Sequence, residues 1–519
     1  MRPEIFVLYG CKELDKVIRR VEEWLNIHSK SIMGYHKKAI VKRLTQRVVS
    51  LITVPFLKER TNRYLNNGQI LFDDVLRFGG LVTNSQNGKV TPSVGLFLSC
   101  SAKFIILWLC VLAAWLLTFI RWRSGKKAAA LLYGIPFEAL KYNDNDARFV
   151  NFCLNGPIAE LKKSDTIIVE SSHQINATMP HYIRYPRFPL LSHLSSSEFG
   201  CRENIFFIRQ HLSAFVLYFY CVTLMPINCL LWRDFSEHSA VAVLNDSKLI
   251  NGVIITNSNW GSQYLWMFAL QDRQFKTCMA LYSLNSQALT YKDDPIYAPY
   301  PVMRYLSVDK IWIWNESYKE LLARDGIEAE TEVLPPILWF LPTKNKTGES
   351  GSIRICVFDV TPKSKEWILY NLGIPESYYS TENIKRFLTD IIYAIGKVQT
   401  VIDSDVKIIL KGKRETHKSD DEEYHRYIRT LLSDNDNIVN TDSDANLFSL
   451  IESCDLSVVV PFSSAAYISS YLKKPAIFYD PTGSIVDNDA KEPLIEFING
   501  RDCLADAMLS IIKQNILTH

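Results

Sequence analysis

Pro461-Phe462-Ser463-Ser464-Ala465 stands where an apolar run, Leu456–Val460, stops and an amphipathic segment, Ala465–Leu472, begins. Lys473-Lys474-Pro475 then leads into a second apolar run, Ala476–Tyr479. Short apolar runs bounded by turn signals read as buried parallel strands, and the segment between them as the crossover helix. A helix that opens on small residues offers free backbone N–H groups and its positive dipole end at the carboxyl edge of the sheet. That is chemistry for an anion such as a diphosphate. Lys411-Gly412-Lys413-Arg414 follows another buried run, Val406–Leu410, and cations there can neutralise a leaving diphosphate. Asp359 follows Ile353–Phe358, and Asp480 follows Ala476–Tyr479. Each is placed to accept hydroxyls of a sugar or ribose, or to cap its own turn.

The amino-terminal half repeats the pattern of apolar runs ending in polar clusters. Thr166–Val169 ends in Glu170-Ser171-Ser172-His173, Gly252–Thr256 in Asn257-Ser258-Asn259-Trp260, Thr277–Tyr282 in Ser283-Leu284-Asn285-Ser286, and Lys310–Trp314 in Asn315-Glu316. Carboxyl ends of parallel strands that meet in this way form a ligand crevice. Asn257 and Asn259 are candidate sugar ligands there. Glu170, Glu316 and His173 are the candidate general bases for an acceptor hydroxyl, a role that needs a carboxylate or imidazole tuned toward neutrality. Capping a helix is the alternative role for each.

These residues together resemble the GT-B glycosyltransferases, especially bacterial enzymes that build surface polysaccharides. In that family a strand ends in a P-x-S-[ST]-A turn, matched by Pro461–Ala465. A helix follows, and then a [GK]-K-P-[AV]-I-x-Y-D strand, matched by Lys474–Asp480. The resemblance implies that the turn cradles the phosphates of a sugar nucleotide. It also implies that Lys411, Lys413 and Arg414 contact those phosphates, with Gly412 where many relatives carry proline. Val333–Ile337 is similar to the V-x-x-P-[IV] step by which such chains enter the donor-binding domain. Trp266, Trp312-Ile313-Trp314-Asn315-Glu316 and Pro336-Ile337-Leu338-Trp339 look like the same group. The likeness covers roughly 130–490 and leaves 1–125 unsupported.

At 519 residues the chain is too long for one core. Hydrophobic residues at 48% and charged residues at 22% exclude a disordered chain, and a net charge of +3 gives no reason to expect nucleic acid as a partner. Eleven cysteines without metal-ligand spacing argue for a reducing compartment. The start shows no secretory signal pattern, which points to the cytoplasmic side.

Two apolar segments interrupt the soluble pattern. Phe104–Ile120 carries no charge and is left through Arg121-Trp122-Arg123 and Lys126-Lys127, a length at the lower limit for a membrane helix. Trp108 and Trp115 fall on one face of it and are expected to lie toward lipid. Leu212–Trp232 is uncharged but interrupted by Pro226, which suits an interfacial helix or kinked hairpin. Residues 29–63 hold Lys30, Lys37, Lys38, Lys42, Arg43, Arg47, Lys58, Arg60 and Arg63 against Glu59 alone. Such a stretch is expected to face a membrane or an anion. Because both catalytic halves must share the cytosol, in-plane or re-entrant insertion is favoured over a single span.

The expected architecture is α/β and GT-B-like: two Rossmann-like doubly wound domains facing a cleft, with an apolar helical insertion in the amino-terminal half. The expected divisions are 1–95 (part of the acceptor domain), 96–127 (apolar segment), 128–340 (acceptor domain), 341–352 (linker) and 353–519 (nucleotide-sugar domain). The implied activity is metal-independent glycosyl transfer at the cytoplasmic face of the plasma membrane, from a nucleotide-sugar to a lipid-linked or polysaccharide acceptor, with no cofactor. Asp403-Ser404-Asp405 and Asp442-Ser443-Asp444 precede a strand and a helix, so they read as turn and cap and not as metal motifs. The same fold also admits a polyol-phosphate transferase or a sugar-nucleotide epimerase, and the apolar segments admit a non-catalytic scaffold.

Overall fold

The computed structural model describes residues 12–32, 35–65, 76–77, 79–84, 89–120, 129–133, 166–169, 183–184, 189–256, 263–270, 276–281, 291–292, 305–324, 326–336, 352–365, 378–402, 404–412, 420–442, 445–487 and 492–518. The apolar run Ile5–Tyr9, which reads as a strand, lies outside them. The first described elements are helices α1 (Lys12–His28) and α2 (Lys37–Leu65), then an antiparallel hairpin, β1 (Leu81–Asn84) with β2 (Lys89–Pro92). Helix α3 (Val94–Ile120) follows directly. It starts ten residues before the apolar run because Ser93 caps it, its Oγ accepting the Leu96 N–H at 3.3 Å. Ser99, Ser101 and Lys103 do not stop a helix once it is capped.

The amino-terminal sheet comprises β3 (Ala129–Tyr133), β4 (Thr166–Val169), β5 (Ile183–Arg184), β6 (Ile250–Thr256), β7 (Lys276–Ala280), β8 (Lys310–Ile313) and β9 (Glu330–Val333). Its order is β5-β4-β3-β6-β7-β8-β9, and every pair is parallel. Between β5 and β6 run α4 (Pro189–Ser195), α5 (Cys201–Leu224), a 3-10 helix (Pro226–Leu231) and α6 (Trp232–Asp246). The break after Leu224 falls where Pro226 removes a backbone donor. Helices α7 (Leu265–Leu270) and α8 (Ser317–Arg324) follow β6 and β8.

The carboxyl-terminal sheet holds β10 (Ile353–Phe358), β11 (Val406–Lys411), β12 (Ile438–Thr441), β13 (Leu456–Val459), β14 (Ala476–Asp480) and β15 (Ile495–Asn499), in the order β12-β11-β10-β13-β14-β15. All its pairs are parallel. Helices α9 (Thr381–Val401), α10 (Glu422–Asp434), α11 (Leu447–Glu452), α12 (Ser464–Tyr471) and α13 (Arg501–Thr518) cover it. Both sheets are doubly wound, each turning back beside its first strand, so the chain has the α/β, GT-B-like organisation. The two halves touch where Lys292 N–H donates to Ser484 O at 2.8 Å and Tyr291 pairs with Ile485.

Two expectations need correction. The basic stretch at 29–63 does not present all its cations outward to a membrane or an anion. Lys30, Lys37 and Lys38 are exposed, but α2 turns Lys42, Arg43 and Arg47 inward. Arg43 and Asp234 form an ion pair at 3.3 Å with both side chains 1% exposed. Arg43 also lies over the Tyr264 ring. Lys42 donates to Leu306 O and Arg47 to Leu230 O. These cations tie α2 to the domain, and burial pushes the Lys42 amine and Arg47 guanidinium below their ordinary pKa values.

Trp108 and Trp115 likewise do not point toward lipid. Trp108 stacks on His211 and donates to His211 O at 3.0 Å, while Trp115 stacks on Phe207 and donates to Asn204 Oδ1 at 2.9 Å. An indole N–H needs an acceptor that hydrocarbon lacks, and α5 supplies one.

Candidate active site

The candidate site lies at the carboxyl edge of the second sheet, at its switch point between β10 and β13. Phe358 pairs with Lys411 on one side and Val459 on the other, so three strand ends stand level. A doubly wound sheet places its ligand crevice at such a point.

The turn after β13 is held tightly. Ser463 N–H donates to Val460 O at 3.2 Å, and Phe462 adopts φ +59. A bulky side chain in the left-handed region costs of order 1 kcal/mol or more and persists only where its surroundings enforce it. Here the ring is buried against Phe478 at 5.6 Å and Phe497 at 6.0 Å. The aromatic anchor fixes the turn, and the turn sets the start of α12. Ser463 is the N-cap residue, yet its side chain makes no capping hydrogen bond. Pro461, Ser464 and Ala465 are buried around it. Ser469 Oγ donates to Ala465 O and to Ser457 Oγ, each at 2.9 Å, which binds α12 to β13.

Beside the turn lies a buried polar group whose members are far apart in sequence. Asp359, 4% exposed, accepts the Tyr424 hydroxyl on Oδ2. Its Oδ1 is buried with no hydrogen-bond partner among the described residues. Burial raises the Asp359 carboxyl to about 6, against the pull of the Tyr424 hydrogen bond and the Lys411 charge. Lys411, 9% exposed, is near enough for its charge to oppose that rise, and its Nζ lies 3.5 Å from Gly412 O. The start of α10 is pinned next to this group. Asp421 caps it through the Glu423 N–H at 2.8 Å, Lys363 pairs with Asp420, and Thr381 Oγ1 donates to Asp421 Oδ2 at 2.7 Å.

The other candidates separate. Asp480 is wholly buried and its oxygens are committed to its own turn and to Tyr378. Oδ1 accepts from the Tyr378 hydroxyl at 2.9 Å, Thr482 N–H at 2.9 Å and Thr482 Oγ1 at 2.7 Å, and Oδ2 accepts from Ile485 N–H at 2.8 Å. Such an Asp builds the loop, and a sugar hydroxyl would have to displace a protein donor. Glu316 is exposed after β8, beside Asn315, whose Oδ1 accepts the Tyr318 N–H at 3.0 Å and so caps α8. Glu170, His173, Asn257, Asn259, Lys413 and Arg414 lie outside the described residues. Tyr424 was not singled out from sequence; the local signal, a capped amphipathic helix, accounts for α10 but says nothing of which residue meets Asp359.

Two doubly wound sheets, with a strained turn at the switch point of the second, define a GT-B-like α/β protein. The chain belongs to the family described as polysaccharide biosynthesis PFTS motif protein, whose model matches residues 210–508, more than half its length. Pro461-Phe462-Ser463-Ser464 agrees with the four letters of that description except at Ser463, where they have Thr. Among solved structures it is similar to TarM, with 13% identity, 54% of this chain and 52% of that one covered and a TM-score of 0.32. The chain therefore spans about half the length of TarM. It is also similar to Anabaena HepE, in complex with UDP, at 9% identity, 75% and 90% coverage and TM-score 0.38. For Acinetobacter baumannii MurG the values are 8%, 75%, 91% and 0.34. At these scores the likenesses say nothing of this chain's activity. A search of curated proteins finds no match.

Proposed function

We propose that the protein is a membrane-associated glycosyltransferase of polysaccharide biosynthesis, acting at the cytoplasmic face of the membrane. It transfers a sugar from a nucleotide donor to a lipid-linked or polysaccharide acceptor. The observation that carries this reading is the turn Pro461–Ala465 at the switch point, level with Lys411 and Asp359. The start of α12 and Ser463 would hold the diphosphate, because helix-terminal N–H groups and the dipole favour negative charge there. Lys411, with Lys413 and Arg414 of the following loop, would neutralise the charge that builds on the diphosphate as the glycosidic bond to it breaks. The free oxygen of Asp359 would accept a donor hydroxyl. Glu170, Glu316 and His173 remain the proposed proton acceptors for the acceptor hydroxyl, and Asn257 and Asn259 the proposed sugar contacts.

The test is calorimetric titration of the protein with UDP-, GDP- and CDP-linked donors, followed by Ser463→Asp with the donor that binds. A second negative charge at the helix start should weaken binding at least about tenfold, some 1.4 kcal/mol. Unchanged affinity in a folded variant removes the turn from the site.

A further inference from the structure

Helices α3 and α5 share an apolar surface that the fold leaves uncovered. They run antiparallel, with Phe104 on Tyr218 at 3.9 Å, Trp108 on His211 at 4.2 Å and Trp115 on Phe207 at 4.9 Å. Away from this seam, Leu98, Ile106 and Leu109 of α3 and Leu212, Val216 and Leu224 of α5 are each at least half exposed. Only 22% and 33% of the most apolar stretches of the two helices are buried, unlike the core helices of the domain. Isolated apolar residues on a surface mean little, but a contiguous face on two long helices marks an interaction site.

Both helices are fastened along their length to α6, beneath them. Ser236 Oγ donates to Phe104 O at 3.2 Å, in the middle of α3, and His211 Nδ1 lies 2.9 Å from Ser239 Oγ, in the middle of α5. Their ends are held as well. α3 leaves β2 through Ser93 alone, and β2 packs on the 3-10 helix into which α5 runs. The start of α5 follows α4, which His193 fixes to Leu249 O at 2.8 Å. A helix crossing a bilayer would have to leave α6 and expose these groups to hydrocarbon.

The charges identify the occupant. Lys103, Arg202 and Arg209 are exposed on the pair, and Glu203 is the single acid in either helix. A second copy of the chain would set these cations against one another, whereas anionic headgroups complement them. The surface also has a direction. Leu265 N–H donates to Asp234 Oδ1 at 2.7 Å, and Tyr264 packs on Tyr133, so the carboxyl ends of β3 and β6 lie beside the start of α6. This is the end at which α3 begins and α5 stops.

We propose that α3 and α5 form one docking face that lies flat in the interfacial layer of an anionic bilayer without crossing it, and that the crevice edge of the amino-terminal sheet sits at headgroup level. The proposal rests on the membrane-associated reading above and adds its mode, partner and orientation. An acceptor carried on a lipid would then reach the crevice past Val94 and Leu224 without leaving the membrane plane.

The test uses the full chain and vesicles of phosphatidylcholine with or without phosphatidylglycerol. Flotation should show binding that phosphatidylglycerol strengthens. Ile106→Glu with Leu212→Glu should lose it at least about tenfold while keeping the donor-induced rise in melting temperature. Nitroxides are then placed by Leu98→Cys, Leu109→Cys and Leu116→Cys in a chain whose Cys11, Cys110, Cys153, Cys201 and Cys503 are serine. The outer two positions are about 27 Å apart along α3 at 1.5 Å per residue. A docking face puts all three at one depth. A profile deepest at Leu109 and shallow at both others means a crossing helix and overturns the proposal. Absence of vesicle binding, with self-association in sedimentation, overturns it in favour of a protein interface. Failure of the transferase reading shows separately, as vesicle binding intact with no donor bound.

Discussion

Replacing Asp359 by asparagine tests the buried polar group directly. The carboxyl stands at about 6 in the folded chain against an ordinary 3.8, chiefly because burial disfavours the charged form. A carboxyl raised on folding contributes stability that is fully present below the ordinary value and is lost as pH rises through about 6. A shift of roughly two pH units corresponds to about 3 kcal/mol lost between acid and neutral pH. Asparagine keeps an acceptor for the Tyr424 hydroxyl and carries no charge, so Asp359→Asn should not show this loss. Relative to the natural chain, the variant should gain about 3 kcal/mol between pH 3 and pH 7.5. At 2–4 °C per kcal/mol for a domain of this size, its carboxyl-terminal transition should gain roughly 6–12 °C over that window. Scanning calorimetry of both proteins across the range, without nucleotide, isolates the group because the other titrations cancel in the difference. Parallel curves would refute the reasoning, since they mean that Asp359 titrates as an ordinary carboxylate. A donor hydroxyl on Oδ1 favours the ionised form, so donor affinity in the natural chain should rise with pH through about 6, and in Asp359→Asn it should not.

Three further outcomes follow from other contacts. Lys411→Met removes the cation that opposes the burial of Asp359, so the pH-dependent loss of stability should move upward and donor affinity should fall at least about tenfold, read by the same calorimetry and by titration. Arg43→Ala strands Asp234 in a site where both partners are 1% exposed and should cost about 3–5 kcal/mol, seen as an early amino-terminal transition on heating. Asn446 caps α11 by accepting the Phe448 N–H at 3.0 Å, and Asn446→Ala should cost about 1 kcal/mol in denaturant unfolding with donor binding unchanged.

Much of the second domain was legible locally. Strand β10 matches the apolar run Ile353–Phe358 end for end, and β13, α12 and β14 fall within a residue of the runs around Pro461. Doubly buried parallel strands must be continuously apolar and short, and a crossover helix must be amphipathic, so the period alone marks them. The turn residues at 461–465 were visible for the same reason. Strand β3, the centre of the amino-terminal sheet, was not: Ala129–Tyr133 is short and alanine-rich, and its role depends on the neighbours β4 and β6 that pair with it. Tertiary structure alone decided which charges are exposed. Helix α2 reads as a basic surface until Asp234 and two backbone carbonyls, all distant in sequence, draw Arg43, Lys42 and Arg47 inward. It also decided the inward turn of Trp108 and Trp115, because helical spacing shows that two residues share a face but not which neighbour covers it. Asp359 meets Tyr424 and Lys411 by the same logic: composition supplies the groups, and only the register of three strands and one helix brings them together in a low-dielectric place where their charges matter.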